Sequence, residues 1–257
     1  MKEYKAIFID WDDTIGDWSS AALAAQKDIY AKYSLSEFGC TFGEWFSLYH
    51  DHNNLLWEQY GRSEISKEYL QRDRFLHPLV TALGGSEVLM QSARFQSLAD
   101  NMGSDFLQLT NKYFSLMPDA ETVIPALAER YPLTVVSNGF QEVQYYKLMH
   151  SGLRQHFENV ILSEEIGVQK PSVRFFDIAL DTANLKRREH NLPPLTTDDI
   201  LMIGDSYTSD IKGAIAAHID QLWLCPDSEA MTDDSRPATY KVIGLNKILP
   251  LLENCRS

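Results

Sequence analysis

The chain has 257 residues, 44% of them apolar, and 36 acids against 23 bases give it a formal charge of −13. That length and apolar content suit one domain with a sizeable core plus an insertion, or two small domains, and exclude a disordered chain. The negative surface repels a nucleic-acid backbone, so no DNA or RNA polymer is expected as a partner, and no apolar run reaches the roughly 18 residues of a membrane span.

Ala6 to Ile9 is a short apolar run that predicts a buried strand, and Asp10, Asp12 and Thr14 follow at alternate positions. From Asp17 to about Leu116 no run predicts a buried strand. Trp18 to Tyr33 predicts a helix with Leu23, Ile29 and Tyr30 facing inward. Thr41 is placed to cap a helix over Phe42 to Tyr60. A third helix is expected from Ser66 to Phe75, a break at Gly84-Gly85, and helices over Ser86 to Ala99 and Ser104 to Phe114. Alternation of strand and helix then returns. Asp119 or Thr122 caps a helix ending at Arg130, with Ile124 and Leu127 inward and Pro125 favouring the later start. Strands are expected at Leu133–Val136, Asn159–Leu162, Ile200–Ile203 and Gln221–Leu224. Helices are expected over Gln141–Ser151, Ser172–Thr182, Ser209–Ala217 and Gly244–Leu252. Lys186–Asp198 and Ser228–Arg236 read as exposed loops.

Short apolar strands alternating with helices imply a parallel sheet covered on both faces, which binds ligands beyond the carboxyl ends of its strands. The polar groups sit at those ends. Asp10, Ser137 and Asp205 each close a predicted strand, and Lys170 follows the third after a short loop. Ser137-Asn138-Gly139 reads either as a plain strand-to-helix turn or as an anion cradle at a helix N-terminus. Lys170-Pro171 is a solvated lysine before a helix or a point charge for a phosphate and a carboxylate. Asp205 and Asp210 add two acids to the first pair, enough for one Mg²⁺. The three cysteines, Cys40, Cys225 and Cys255, are odd in number and widely spaced, which argues for reduced thiols over disulfides or zinc. The start of the chain leads into a strand with no basic-then-apolar leader, so a cytoplasmic location is expected.

Together and in this order, the four segments resemble the haloacid dehalogenase (HAD) superfamily of phosphohydrolases. The motif Asp-x-Asp-x-Thr is Asp10 to Thr14, the hydroxyl motif is Ser137, the lysine motif is Lys170, and the acidic motif is Asp205 with Asp210. The resemblance implies a doubly wound, Rossmann-like α/β core at residues 1–15 and 116–257 and an inserted α-helical cap domain at 16–115. It implies Asp10 as nucleophile forming an aspartyl-phosphate and Asp12 as general acid and base. Mg²⁺ would be held by Asp10, the backbone carbonyl of Asp12 and Asp205, with Asp210 supporting it directly or through another ligand. Thr14, Ser137, Asn138, Gly139 and Lys170 would bind the phosphate of a small metabolite. An acid two residues after the nucleophile argues for a phosphatase, since breaking a carbon–halogen bond needs none. Nothing in the cap marks a Schiff-base lysine, which weakens a phosphonatase reading.

Val136–Phe140, Ser163–Pro171 and Phe175–Leu180 look like the branch of nucleoside 5′-monophosphate phosphatases associated with pyrimidine and non-standard nucleotides. Sugar phosphatases similar to N-acylneuraminate-9-phosphatase, and phosphoglycolate phosphatases, are the alternative. Trp18, Trp45, Phe46, Tyr49, Trp57 and Tyr60 offer rings on which a base could stack, although most such rings are expected in the bundle core. Trp11 stands where a small or aliphatic residue is common and is a candidate wall of the pocket. His218 stands where glycine is common. A sensor that binds a phosphorylated ligand without turnover is the reading from another class, and the full complement of catalytic residues argues against it.

Overall fold

In the computed structural model, which describes residues 2–254, strand β1 spans Ala6–Ile9 with all four side chains buried. The chain divides into two compact units, residues 1–17 with 115–257, and residues 18–114. Cys255 lies outside the described residues.

The second unit is helical: α1 (Trp18–Lys32), α2 (Phe42–Gly61), α3 (Lys67–Ala82), the single turn α4 (Glu87–Met90) and α5 (Ala93–Lys112). Thr41 caps α2 in a reciprocal box with Glu44, as its sequence signature predicts. Helix α3 runs beyond the expected end at Phe75 and continues through Pro78. Leu76, Leu79 and Val80 are buried in the bundle core, and that burial outweighs the cost of a proline in the helix. The expected break between two later helices is absent, because α5 is continuous through Gly103. A side chain there would meet the Gln71 carbonyl at 2.9 Å, so this glycine permits close approach of α3 instead of ending a helix. Ile29 is buried as expected, but Ala21, Ala25 and Gln26 form the rest of the buried face of α1, while Leu23 and Tyr30 are half-buried. Trp45 and Tyr49 are core residues of this unit, and Trp18 packs against that core. Phe46, Trp57 and Tyr60 are half-buried. Within the core the indole of Trp45 donates to Gln26 at 3.0 Å. Arg74 is buried there, stacked on Phe106, and its Nε and Nη2 have no hydrogen-bond partner among the described residues.

The first unit carries α6 (Ala120–Ala128), β2 (Leu133–Ser137), α7 (Gln141–His150), β3 (Asn159–Leu162), α8 (Ser163–Ile166), α9 (Val173–Glu189), β4 (Ile200–Gly204), α10 (Lys212–Ala216), β5 (Asp220–Leu224), α11 (Ser228–Thr232), β6 (Tyr240–Val242) and α12 (Ile248–Asn254). The six strands form one parallel sheet in the order β3-β2-β1-β4-β5-β6. Strand order reverses beside β1, so the crevice for a ligand lies beyond the carboxyl ends of β1 and β4. Register sets Ile9 opposite both Val135 and Ile203, which brings the residues after them to one place. Phe8, Val136, Phe175, Phe176 and Met202 build one face of the core.

Several boundaries depart from expectation. α6 starts at Ala120 with Asp119 at its N-cap, ahead of Thr122, and includes Pro125. α9 extends to Glu189 through the polar stretch expected to be a loop, because buried Asn184 bonds both the N–H and the carbonyl of Leu195 and folds the excursion back. Ser228–Thr232 is a short helix capped by Asp227. β6, not anticipated, is a three-residue edge strand with one buried side chain, too short to leave a pattern. α12 starts at Ile248, so Pro250 lies in its first turn. His218 adopts a left-handed φ of 57°, which accounts for glycine being suited to that turn.

Candidate active site

Asp10 leaves β1 with its N–H donating to the Ile203 carbonyl at 2.9 Å, so the sheet ladder continues to the residue before the turn. The turn is tight. Both Ile15 and Gly16 donate to the Trp11 carbonyl at 2.8 Å, and Asp13 takes a left-handed φ of 56°. After β4, Tyr207–Ile211 forms one π turn, in which Ile211 N–H reaches the Ser206 carbonyl. This widened turn carries the Asp210 side chain back beneath Gly204, where a Cβ would lie 2.3 Å from Asp210 Oδ2.

Lys170 is the buried hub. Its Nζ donates to Asp10 Oδ1 at 2.6 Å, Asp210 Oδ1 at 2.6 Å and the Val136 carbonyl at 2.7 Å, which uses all three ammonium protons. Asn138 holds the lysine's backbone at both ends, accepting from Lys170 N–H at 2.9 Å and donating to its carbonyl at 2.8 Å. The Lys170-Pro171 bond is cis.

Oxygen atoms of Asp10, Asp205 and Asp210 lie within 4.8 Å of one another. Burial pushes the Asp10 carboxyl well above its usual range; Lys170 opposes this, while Asp210, Asp205 and Asp12 add to it. Asp205 is pushed up to about 7, first by burial and then by Asp210 and Asp13. Lys170 titrates above its ordinary value: burial alone would lower it, and the charges of Asp10 and Asp210 outweigh that. Fully ionised, these three carboxylates against one ammonium would leave two negative charges uncompensated in a buried place, which is why burial raises Asp10 and Asp205. An all-oxygen set with that residual charge fits one hard divalent cation.

Thr14 and Ser137 are both buried, and each hydroxyl is engaged within the protein. Thr14 Oγ1 accepts from Asp205 N–H at 3.1 Å and faces Asp205 Oδ1 at 3.3 Å. Ser137 Oγ accepts from Gly139 N–H at 3.1 Å. Trp11 is fully buried with its ring edge-on to Phe157, so it packs in the core and forms no pocket wall.

Two residues that sequence reasoning missed stand on α7. Lys147 Nζ pairs with Asp12 Oδ1 at 2.5 Å, and Gln144 Nε2 donates to Asp12 Oδ2 at 2.6 Å. Their three-residue spacing just beyond Ser137 was the available signal, since it aims both at the end of β1. Trp223 Nε1 also donates to the Asp205 carbonyl at 2.7 Å, steadying the loop after β4.

Comparison with known proteins agrees with this architecture. The structure of the HAD-hydrolase YfnB from Bacillus subtilis, solved bound to magnesium, shares the fold with a TM-score of 0.75 at 24% identity, covering 98% of this chain and 99% of that one. The pyrimidine 5′-nucleotidase YjjG of Escherichia coli is 27% identical over 247 residues, 96% of either chain. A glyceraldehyde 3-phosphate phosphatase of Methanothermobacter thermautotrophicus is 27% identical over 253 residues, 97% of this chain and 98% of its own. The haloacid dehalogenase-like hydrolase family matches residues 4–218, from before β1 to beyond α10, and with every strand-end acid inside that span the chain belongs to this family of hydrolases.

Proposed function

We propose that this hydrolase cleaves phosphate monoesters with Mg²⁺ through an aspartyl-phosphate on Asp10, and that nucleoside 5′-monophosphates are its preferred substrates. The observation that carries the chemistry is the buried Lys170, bonded at once to Asp10 and Asp210 beside Asp205. Asp10, whose ionised form Lys170 favours against the cost of burial and a bound cation would favour further, attacks phosphorus in line as the ester oxygen leaves. Asp12 gives the leaving oxygen its proton. Asp12 then takes a proton from water as the water oxygen attacks phosphorus, the bond to Asp10 breaks, and inorganic phosphate departs. Asp10, Asp205, Asp210 and the Asp12 carbonyl are the groups to hold Mg²⁺. When bound, the ion supplies the positive charge that lets two anions meet. The Asn138 N–H and the Ser137 hydroxyl, which accepts from Gly139 N–H, would meet the phosphate, while Lys170, its three protons engaged by Asp10, Asp210 and the Val136 carbonyl, would lend its charge from behind Asp10. Thr14, tied to Asp205 at both ends of its hydroxyl, serves by positioning that acid. The helical unit is assigned as the cap that determines the leaving group.

The nucleotide preference draws support from the three core stretches quoted above and from the relative named a pyrimidine 5′-nucleotidase. A sugar-phosphate preference is the second reading, favoured by the relative named a glyceraldehyde 3-phosphate phosphatase. Phosphate release with Mg²⁺ across nucleoside monophosphates, sugar phosphates and phosphoglycolate, with Asp10→Asn alongside, separates them. Nucleotide hydrolysis lost in Asp10→Asn supports the proposal. A preference for a sugar phosphate keeps the mechanism and replaces the substrate. Turnover retained in Asp10→Asn removes the nucleophile.

A further inference from the structure

Asp12 is gripped through both of its oxygens from a single helix. Lys147 and Gln144 lie one turn apart on α7, and both are buried. A buried lysine needs a partner, and this one meets Asp12 Oδ1 at 2.5 Å. The Gln144 side chain reaches Asp12 by crossing directly over Gly139, where a Cβ would stand 1.9 Å from its Nε2. Gln144 Oε1 is buried with no hydrogen-bond partner among the described residues, so the amide is oriented by Asp12 alone.

The donor complement of this grip is one-sided. An ammonium and an amide N–H can only donate, and a carboxylate receiving both is set to accept. The proposed reaction asks two different things of Asp12: to release a proton in the first step and to accept one from water in the second. The observed grip suits only the second.

We infer that Lys147 and Gln144 are positioning residues that hold the Asp12 carboxylate in its proton-accepting orientation, and that they accelerate hydrolysis of the phosphoenzyme more than its formation. This rests on the two-step reaction proposed above. In the step concerned, a water oxygen bonds to phosphorus, its proton passes to Asp12, and the bond between phosphorus and Asp10 Oδ breaks with its electron pair returning to Asp10.

The test uses the full chain with Mg²⁺ and p-nitrophenyl phosphate, whose leaving group departs without a proton and so makes the first step independent of Asp12. In Lys147→Met the first equivalent of p-nitrophenolate should appear at close to the wild-type rate. Steady-state release should then fall by roughly 10- to 100-fold, less than the roughly 10²- to 10⁴-fold that a general base itself supplies, because Asp12 remains and only its positioning is lost. Acid-quenched enzyme should accumulate phosphate on Asp10. Lys147→Arg, which keeps a donor cation, should restore most of the steady-state rate. Gln144→Met leaves the ion pair intact and should show the same split at smaller size, which serves if Lys147→Met folds poorly. A fall in both phases by one factor, or in neither, in variants with wild-type circular dichroism overturns the inference while the reaction stands. A wild-type chain with no Asp10-dependent release overturns the proposed reaction and this inference with it.

Discussion

Raise the pH of the metal-free protein from 5 to 8 and its stability should fall. Asp205 carries the effect. Its carboxyl is pushed up to about 7 from an ordinary 3.8, by burial first and then by the charges of Asp210 and Asp13. A carboxyl whose folded value is raised holds its proton in the folded state at pH values where the unfolded chain has lost it. The folded state is therefore favoured at the acid end, and that advantage disappears as the pH climbs from about 4 through about 7. At roughly 1.36 kcal/mol per pH unit, acting from pH 5 up to about 7 and vanishing above it, the loss between pH 5 and 8 is on the order of 3 kcal/mol. Asp10 is raised for the same leading reason and adds in the same direction. Urea unfolding in EDTA across that range, for the wild type and Asp205→Asn, measures it. The variant should show a shallower decline, and added Mg²⁺ should lift the wild type most at the alkaline end, where its ligands are ionised. A wild type as stable at pH 8 as at pH 5, or a variant with an identical slope, would refute the reasoning.

Three further outcomes follow from the packing. Lys170→Met leaves Asp10 and Asp210 facing each other without their shared cation, and should cost about 3–5 kcal/mol at neutral pH together with all turnover; wild-type urea stability would show that the lysine is not the hub. Gly204→Ala puts a methyl 2.3 Å from Asp210 Oδ2, and that acid is fixed by Ser206 N–H and Lys170, so it should cost about 1–3 kcal/mol and raise the Mg²⁺ needed for half-maximal turnover. An unchanged metal titration would contradict it. Arg74→Met removes two buried donors that have no hydrogen-bond partner among the described residues and keeps an apolar stem against Phe75 and Phe106, a gain reduced by losing the bond to Tyr49, so thermal unfolding should shift upward by the equivalent of up to about 1 kcal/mol. A clear destabilisation would mean that the guanidinium is satisfied after all.

The central strands were legible because each is a short run buried on both faces, and such runs have few other uses. Helix ends were less so. Pro78, Gly103 and the charged stretch after Lys186 are local signs of a break, and each was overridden by an interaction with residues distant in sequence: the bundle core, the Gln71 carbonyl and the Leu195 backbone. At the candidate site, positions at strand ends could be read because sheet order brings those ends together. The partner of an individual hydroxyl could not. Nothing in Asp-x-Asp-x-Thr separates a threonine turned toward a ligand from one bonded to Asp205. Lys147 was hidden for a related reason: in a polar ten-residue helix a lysine reads as solvated until Asp12 is brought against it.

The helical unit begins and ends at one short seam of the sheet unit. Gly16 bridges Leu116, Asp17 N–H donates to the Ser115 carbonyl at 2.9 Å, and Met117 N–H donates to the Ile15 carbonyl at 2.8 Å. To the rest of the chain, residues 18–114 are therefore a loop whose ends are already joined. β1 must find β2 across that loop, with Ile7 opposite Leu133, and an insertion that folds first shortens the search roughly fourfold, worth about 1 kcal/mol of chain entropy. Change within the insertion need not disturb the strand register that brings Asp10 and Asp205 together, because the seam and the strands lie outside it.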